Sequence, residues 1–398
     1  MAYNFEYFAP TRIIFGRNTE TQVADWIKYY GGKRVLLHYG GKSALRSGLI
    51  ARVKNLLDKA GIFHVELGGV VPNPKLSKVR TGFALGNLDQ LDFMLAVGGG
   101  SVIDSAKAIA YALAEPDYDV WDLYEHTRKA KACLPIGVIS TTAGSGSEMS
   151  RSSSITNDEN NSKRTYKGNL CRPKFAILNP ELTFTLPDYQ TACGCVDILM
   201  HTMERYFTQG GNMEITDSIA EGLMRTVIDN AKILVENPIN YDARAEIMWA
   251  SSLSHNGLTG CGNDGGDFAS HALEHELSGM FGVAHGAGLA AIWGSWARYV
   301  YKNCRQRFKK FALNVMQVEE VGSDDEIALK GIEAVENFFR EIKMPTSIKG
   351  LGIAPTPQQI SDMAYRCAVA VGGSRGSAKK LHEEDMIRIY QAANKKES

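Results

Sequence analysis

The sequence predicts an α/β N-terminal half joined to an all-α C-terminal half. Three observations carry this. Short runs of Val, Ile, Leu and Phe alternate with amphipathic segments from Thr11 to about Asn179, strand patterns nearly vanish beyond Pro187, and long helical periodicities replace them. At 398 residues with 44% hydrophobic content, the chain is too long for one small core and points to two domains, 1–184 and 185–398.

The predicted strands are Arg12–Phe15, Arg34–Tyr39, His64–Leu67, Phe93–Val97, Ile136–Ser140 and Phe175–Leu178, with helical spacing at Ile50–Ala60 and Lys78–Gly86 between them. Asn73-Pro74 marks a turn, and Asn179-Pro180 with Leu186-Pro187 punctuates the end of the sheet region, because proline disfavours helix at the residue before it. Beyond it, periodic segments run over Asp188–Thr208, Asn212–Val235, Asp242–His255, Asp267–Ser278, Leu289–Leu313 and Asp325–Ile342. Pro345 and Pro355 interrupt the pattern, and Thr356 is placed to N-cap a further helix from Pro357. The last residues, Lys395 to Ser398, are expected to fray.

Lys+Arg and Asp+Glu are both 44, so no net field attracts nucleic acid or an anionic membrane, and a small neutral or weakly charged substrate fits better. Seven scattered cysteines form no CxxC zinc pattern and read as reduced thiols. The opening residues lack a basic and then apolar leader, and no stretch approaches the roughly 20 apolar residues of a membrane span. A cytoplasmic protein is expected.

Three glycine turns follow predicted strands. Val97-Gly98-Gly99-Gly100-Ser101 leads into a helix, where the backbone of Gly98, Gly99 and Gly100 can approach a phosphate and the first N–H groups, with Ser101, favour a pyrophosphate. It departs from the dinucleotide fingerprint, since Ile103 stands where a third glycine belongs. The turn Ser140 to Glu148 brings hydroxyls to the C-terminal edge of the same sheet. The third, Gly40-Gly41-Lys42-Ser43, follows the second strand, where a dinucleotide fold usually carries an acid for the adenosine ribose. No carboxylate is present there, and small residues with Lys42 and Ser43 leave room and charge for a 2′-phosphate, favouring NADP over NAD.

Five of the nine histidines lie from His201 to His285, and four of them, His201, His271, His275 and His285, have spacings that suit a metal. Asp197 and His201, and again His271 and His275, stand four residues apart on one helix face. Asp197, His201, His271 and His285 could supply one carboxylate and three imidazoles to Fe(II) or Zn(II), and His275 could relay a proton or hold a substrate oxygen. A histidine taken singly is more often structural than a ligand. Here two i, i+4 pairs and the His285-Gly286 turn fall in one helical region. His38, His64, His126, His255 and His382 have no such partners and read as structural.

Together, Gly98-Gly99-Gly100-Ser101-Val102-Ile103-Asp104-Ser105-Ala106-Lys107, the turn Thr141-Thr-Ala-Gly-Ser145-Gly-Ser-Glu148, Asp197-x-x-x-His201-x-x-Glu204 and His271-x-x-x-His275 with His285-Gly286 resemble the iron-containing (group III) alcohol dehydrogenases. Within that family the chain looks most like the butanol dehydrogenase and NADPH-dependent aldehyde reductase branch, from about Phe5 to Tyr390. The resemblance implies a dehydroquinate synthase-like fold with an α/β dinucleotide-binding domain and a helical metal-binding domain. It implies Asp197, His201, His271 and His285 as iron or zinc ligands and His275 near the substrate, and it puts Gly98 to Ser101, Asp104, Thr141, Thr142, Ser145 and Lys163 along the dinucleotide site. Members using NAD often carry an aspartate where this chain has Gly40. Family members are often dimers, which makes a homodimer the expectation.

The expected function is a metal-dependent oxidoreductase interconverting small primary alcohols, such as butanol, and aldehydes with NAD(P)(H). A glycerol or polyol dehydrogenase of the same fold is the related alternative. A metal-dependent phosphohydrolase would explain the helical half but leave the glycine turns idle. A regulatory protein with a structural zinc would be expected to offer cysteine ligands.

Overall fold

The computed structural model describes residues 2–211 and 213–395, with the side chain of Lys42 outside the described set. The chain falls into two compact units, Phe8–Thr185 and Leu186–Ser398, the residues up to Tyr7 grouping with the latter. The Tyr3 N–H donates to the Gly262 carbonyl at 2.9 Å, which ties this opening segment to the helical unit.

In the first unit, six strands form one parallel sheet: β1 (Arg12–Phe15), β2 (Arg34–Tyr39), β3 (Phe63–Leu67), β4 (Phe93–Gly98), β5 (Ile136–Ser140) and β8 (Phe175–Leu178), in the order β1-β8-β5-β4-β2-β3. β4 reads Phe-Met-Leu-Ala-Val-Gly and is buried along its whole length, because a parallel sheet covered on both faces demands a continuous apolar run. α1 (Val23–Tyr29), α2 (Lys42–Arg46), α3 (Leu49–Lys59), α4 (Leu76–Leu88), α5 (Gly100–Ala114) and the short α6 (Trp121–Tyr124) are the helices of this unit. The chain goes from β2 outward to β3 and then returns past β2 to β4, so the strand order reverses between β2 and β4. Open α/β sheets bind ligands beyond the carboxyl ends of the strands at such a reversal.

One antiparallel hairpin, β6 (Ser152–Asn157) with β7 (Ser162–Lys167), lies outside the predicted strands, although Asn160 to Arg164 could be read as an exposed hairpin from the sequence. Its strands are Ser-, Thr-, Lys- and Arg-rich and carry no apolar alternation; main-chain pairing holds it, with the Thr156 N–H also donating to Pro74 O at 2.8 Å.

The helical unit comprises α7 (Asp188–Tyr206), α8 (Glu214–Glu236), α9 (Tyr241–His255), α10 (Ala269–Phe281), α11 (His285–Val300), α12 (Arg305–Asn314), α13 (Asp324–Glu341), α14 (Pro357–Ala370) and α15 (Glu383–Ala393). Thr356 caps α14 as expected, in a reciprocal pair with Gln359. The single segment expected over Leu289–Leu313 is instead two helices around a 3₁₀ turn at Tyr301–Cys304. No proline or glycine signals that break. It follows from tertiary anchoring, as the Arg307 guanidinium reaches Asp217 and the Tyr206 carbonyl, while Cys304 Sγ contacts Thr208 O. Of the tail expected to fray, residues 396–398 lie outside the described residues. Among the described residues, no helix is long and apolar enough to cross a membrane.

Candidate active site

α7 is buried from Thr191 to Glu204, apart from its ends. Its face carrying Asp197, His201 and Glu204 repeats at four and then three residues, so all three side chains leave one stripe of the helix. α10 brings His271 and His275, and α11 opens with His285. Close approach of α11 to α7 depends on Gly286, where a Cβ would stand 2.1 Å from the Cys193 carbonyl oxygen.

Ligand atoms of Asp197, His201 and His271 lie within 4.8 Å of one another. Asp197 Oδ1 is 3.4 Å from His201 Nδ1, 3.5 Å from His271 Nε2 and 3.7 Å from His285 Nε2. Asp197 Oδ1, His201 Nδ1 and His271 Nε2 are all buried and, among the described residues, find no hydrogen-bond partner. An unsatisfied buried polar atom costs about 1–3 kcal/mol, and three converging on one point are what a cation would satisfy. The donor set of one carboxylate and several imidazoles suits Fe(II) or Zn(II). His285 extends the set through Asp197 and also groups with Glu274 and His275.

Electrostatics divide the histidines. Burial, then the neighbouring His255 and His271, hold His201 well below the usual histidine range, so its ring stays neutral. Burial also pulls His271 down, but Glu204 and Asp197 outweigh it and bring His271 to about 9 in the absence of an ion. A metal taking that position would therefore displace a proton.

Two glutamates had no assigned role in the sequence, Glu204, which stands in the quoted motif, and Glu274. Glu204 Oε2 accepts from His271 Nδ1, and Glu274 Oε2 accepts from His285 Nδ1. Glu204 had a signal, its helical phase with Asp197 and His201. Glu274 had none, because its partner lies on the next helix. His255, read as a structural residue without partners, sits with its ring centroid 4.0 Å from that of His201. It ends α9, and only tertiary packing brings it there. His275 is half-buried one turn beyond His271, its ring centroid 5.7 Å from that of His285.

In the sheet unit, Tyr39 pairs with Val97 and Gly98 with Ser140, so the three glycine and serine turns leave adjacent strands at one edge. A Cβ at Gly99 would lie 2.4 Å from Thr142 Oγ1, and one at Gly100 would lie 2.3 Å from Ser145 Oγ. Glycine is thus needed there for close approach of two turns. The Thr141 N–H donates to Gly98 O at 3.1 Å, locking them together. Gly41 and Ser43 are exposed, and a Cβ at Gly41 would meet nothing within 4 Å, so the turn at the strand-order reversal has room for a ligand.

Asp104 acts as a brace in this region, since Oδ1 accepts from Ser147 Oγ at 2.6 Å and Oδ2 from the Ser154 N–H at 2.9 Å. Lys107, one turn further along α5, is buried and donates to the carbonyls of Ser147, Ser150 and Ser152 at 2.7, 3.1 and 2.8 Å. These two residues hold the segment after the Thr141 turn. Lys163 is buried on β7, opposite Thr156.

A parallel sheet with phosphate-type turns at its strand-order reversal, joined in one chain to a buried carboxylate-imidazole cluster, defines a metal- and dinucleotide-dependent oxidoreductase. The chain belongs to the iron-containing alcohol dehydrogenase family. The family model for iron-containing alcohol dehydrogenase matches residues 10–180, and that for the C-terminal part of the family matches residues 191–394. The chain is 40% identical over 391 residues to a probable NADH-dependent butanol dehydrogenase of Bacillus subtilis (98% of this chain, 99% of the relative). It is 35% identical over 352 residues to an NADPH-dependent aldehyde reductase of Escherichia coli (88% and 89%). The crystal structure of an NADH-dependent butanol dehydrogenase from Thermotoga maritima superposes with a TM-score of 0.94 at 37% identity, covering 98% of this chain and 99% of the other.

Proposed function

We propose that this chain reduces small aldehydes to primary alcohols and catalyses the reverse oxidation, with butanal and butanol within its range and NADP(H) as the favoured cofactor. The observation that carries this reading is the convergence of three buried, unsatisfied ligand atoms on Asp197 Oδ1, His201 Nδ1 and His271 Nε2. Cofactor binding is assigned to the sequence domain 1–184, whose compact unit is Phe8–Thr185, and metal binding to 185–398.

Asp197, His201, His271 and His285 would hold a divalent ion that supplies Lewis acidity at the substrate oxygen, while a bound nicotinamide supplies or accepts the hydride. Asp197 and the imidazoles keep the site buried and fix where the substrate oxygen sits. His275 is positioned to pass a proton to or from that oxygen, being half-buried and adjacent to His271 and His285. Gly98, Gly99, Gly100 and Ser101 bind the pyrophosphate at the start of α5, with Thr141, Thr142 and Ser145 alongside and Asp104, Lys107 and Lys163 supporting those turns. Gly40, Gly41, Lys42 and Ser43 receive the adenosine ribose, and the missing carboxylate there favours its 2′-phosphate.

NAD(H) is the second reading, because the B. subtilis and T. maritima relatives that match nearly the whole chain carry NADH-dependent names. Following reduced-nicotinamide absorbance with butanal, Fe(II) or Zn(II), and each cofactor separates the two by their kcat/KM values. A higher value with NADPH supports the first reading. No oxidation of either cofactor across a panel of aldehydes would overturn the dehydrogenase assignment itself. We further place the protein in the cytoplasm as a homodimer, which sedimentation at micromolar concentration tests.

A further inference from the structure

We infer that Glu204 and Glu274 are positioning residues that hold two of the metal-site histidines in a single tautomer, each glutamate acting across from one helix of the site to the next. The inference rests on the metal reading above and concerns residues that reading leaves without a role.

Glu204 stands on α7 in phase with Asp197 and His201, and its side chain is fully buried. One carboxylate oxygen accepts from His271 Nδ1, and the other accepts from the His271 backbone N–H at 3.1 Å. That N–H belongs to the first turn of α10, where intrahelical acceptors are lacking and where Phe268, in a left-handed conformation, provides no side-chain cap. The Glu204 carbonyl also accepts from the Asp267 N–H at 2.7 Å. Glu204 therefore fixes both the ring of His271 and the start of the helix that carries it.

Glu274 repeats the device one helix later. From α10 it reaches His285 Nδ1 at the start of α11, and its second oxygen accepts from Ser278 Oγ. Its side chain is also fully buried, and a Cβ at Gly288 would stand 2.9 Å from Glu274 Oε1, so the carboxylate is boxed in. In both cases Nδ1–H faces a carboxylate, which leaves the Nε2 lone pair directed toward Asp197 Oδ1. Among the described residues His201 shows no second carboxylate partner, and its Nδ1 is the nitrogen that faces Asp197. Carboxylates behind metal-bound imidazoles orient the ring and raise its basicity.

The test uses full-length protein stripped of metal and reloaded with Zn(II), with affinity read by competition with a chromophoric chelator. Glu204→Gln and Glu274→Gln should each weaken zinc binding about 10–100-fold, with Glu204→Gln the larger because both of its donors belong to His271. NADPH binding, followed by fluorescence, should stay unchanged. Glu221→Gln, a buried glutamate bonded to Tyr206, should keep wild-type zinc affinity. Independently of any variant's folding, nitrogen-15 histidine spectra of the zinc-loaded wild type should show His271 and His285 protonated at Nδ1. Wild-type zinc affinity in both variants, or protons at Nε2 in those spectra, would overturn the inference while leaving the metal reading intact. A wild type that binds no zinc and no iron would overturn both.

Discussion

His38 and His271 are both buried histidines, one in each compact unit, and their surroundings are opposite. His38 lies on β2, donates from Nδ1 to the Leu67 carbonyl and accepts at Nε2 from Ser105 Oγ, both at 2.9 Å. With both nitrogens satisfied by neutral groups, burial holds its pKa down at about 4. His271 has one nitrogen against a buried carboxylate and the other without a hydrogen-bond partner among the described residues, 3.5 Å from Asp197 Oδ1, and its pKa rises to about 9. Asp104 and Asp197 repeat the contrast, since both oxygens of the first are hydrogen-bonded while Asp197 Oδ1 is not. Burial by itself therefore does not mark a metal ligand. Ligand atoms without hydrogen-bond partners that face one another do.

The contrast can be pressed hardest by removing its functional member. His271→Ala should lose more than about 100-fold in Zn(II) affinity, beyond what a supporting residue costs, and lose aldehyde reduction with it. NADPH binding should persist. Retained metal affinity would place His271 with His38 as a structural histidine.

A second effect concerns His38. Below about pH 6.5 the unfolded chain protonates this histidine, whereas the folded protein does not until about pH 4. Stability should thus fall on acidification across that window by on the order of 3 kcal/mol and show no further His38 contribution below it. Denaturant melts at pH 7, 5.5 and 4 should give a shallower acid slope in His38→Gln than in the wild type. Equal slopes would show that this imidazole is not held neutral.

The smallest effect concerns the sheet unit's ligand turns. Gly99→Ala puts a Cβ 2.4 Å from Thr142 Oγ1, forcing the two turns apart at a cost of about 1–3 kcal/mol. NADPH should bind about tenfold more weakly in fluorescence titration, with zinc affinity unchanged. Unaltered NADPH affinity would separate these turns from the cofactor.

The six parallel strands were readable to within a residue because strands such as β4 are apolar on both faces. Thr356 announced α14 through a capping residue followed by proline. The strands of the β6–β7 hairpin were not legible because serine, threonine and lysine supply no alternation, only its turn near Asn160 to Arg164 being suggestive, and the α11–α12 break stayed hidden because Arg307 and Asp217 meet only in three dimensions. In the site, i, i+4 spacing exposed Asp197, His201, His271 and His275. Residues whose role depends on another helix, namely Glu274 behind His285 and His255 against His201, left no periodic trace. Asp104, assigned to the cofactor by resemblance, has both oxygens occupied by Ser147 and Ser154.

On the proposed reading Asp197, His201, His271 and His285 bind one divalent ion, and among the described residues Asp197 Oδ1, His201 Nδ1 and His271 Nε2 have no hydrogen-bond partner. Metal analysis of wild type and Asp197→Ala, purified without chelator, tests it most directly. One Fe(II) or Zn(II) per wild-type chain and almost none in the variant is the predicted result. A wild type free of metal, or an Asp197→Ala protein that retains it, would contradict the account.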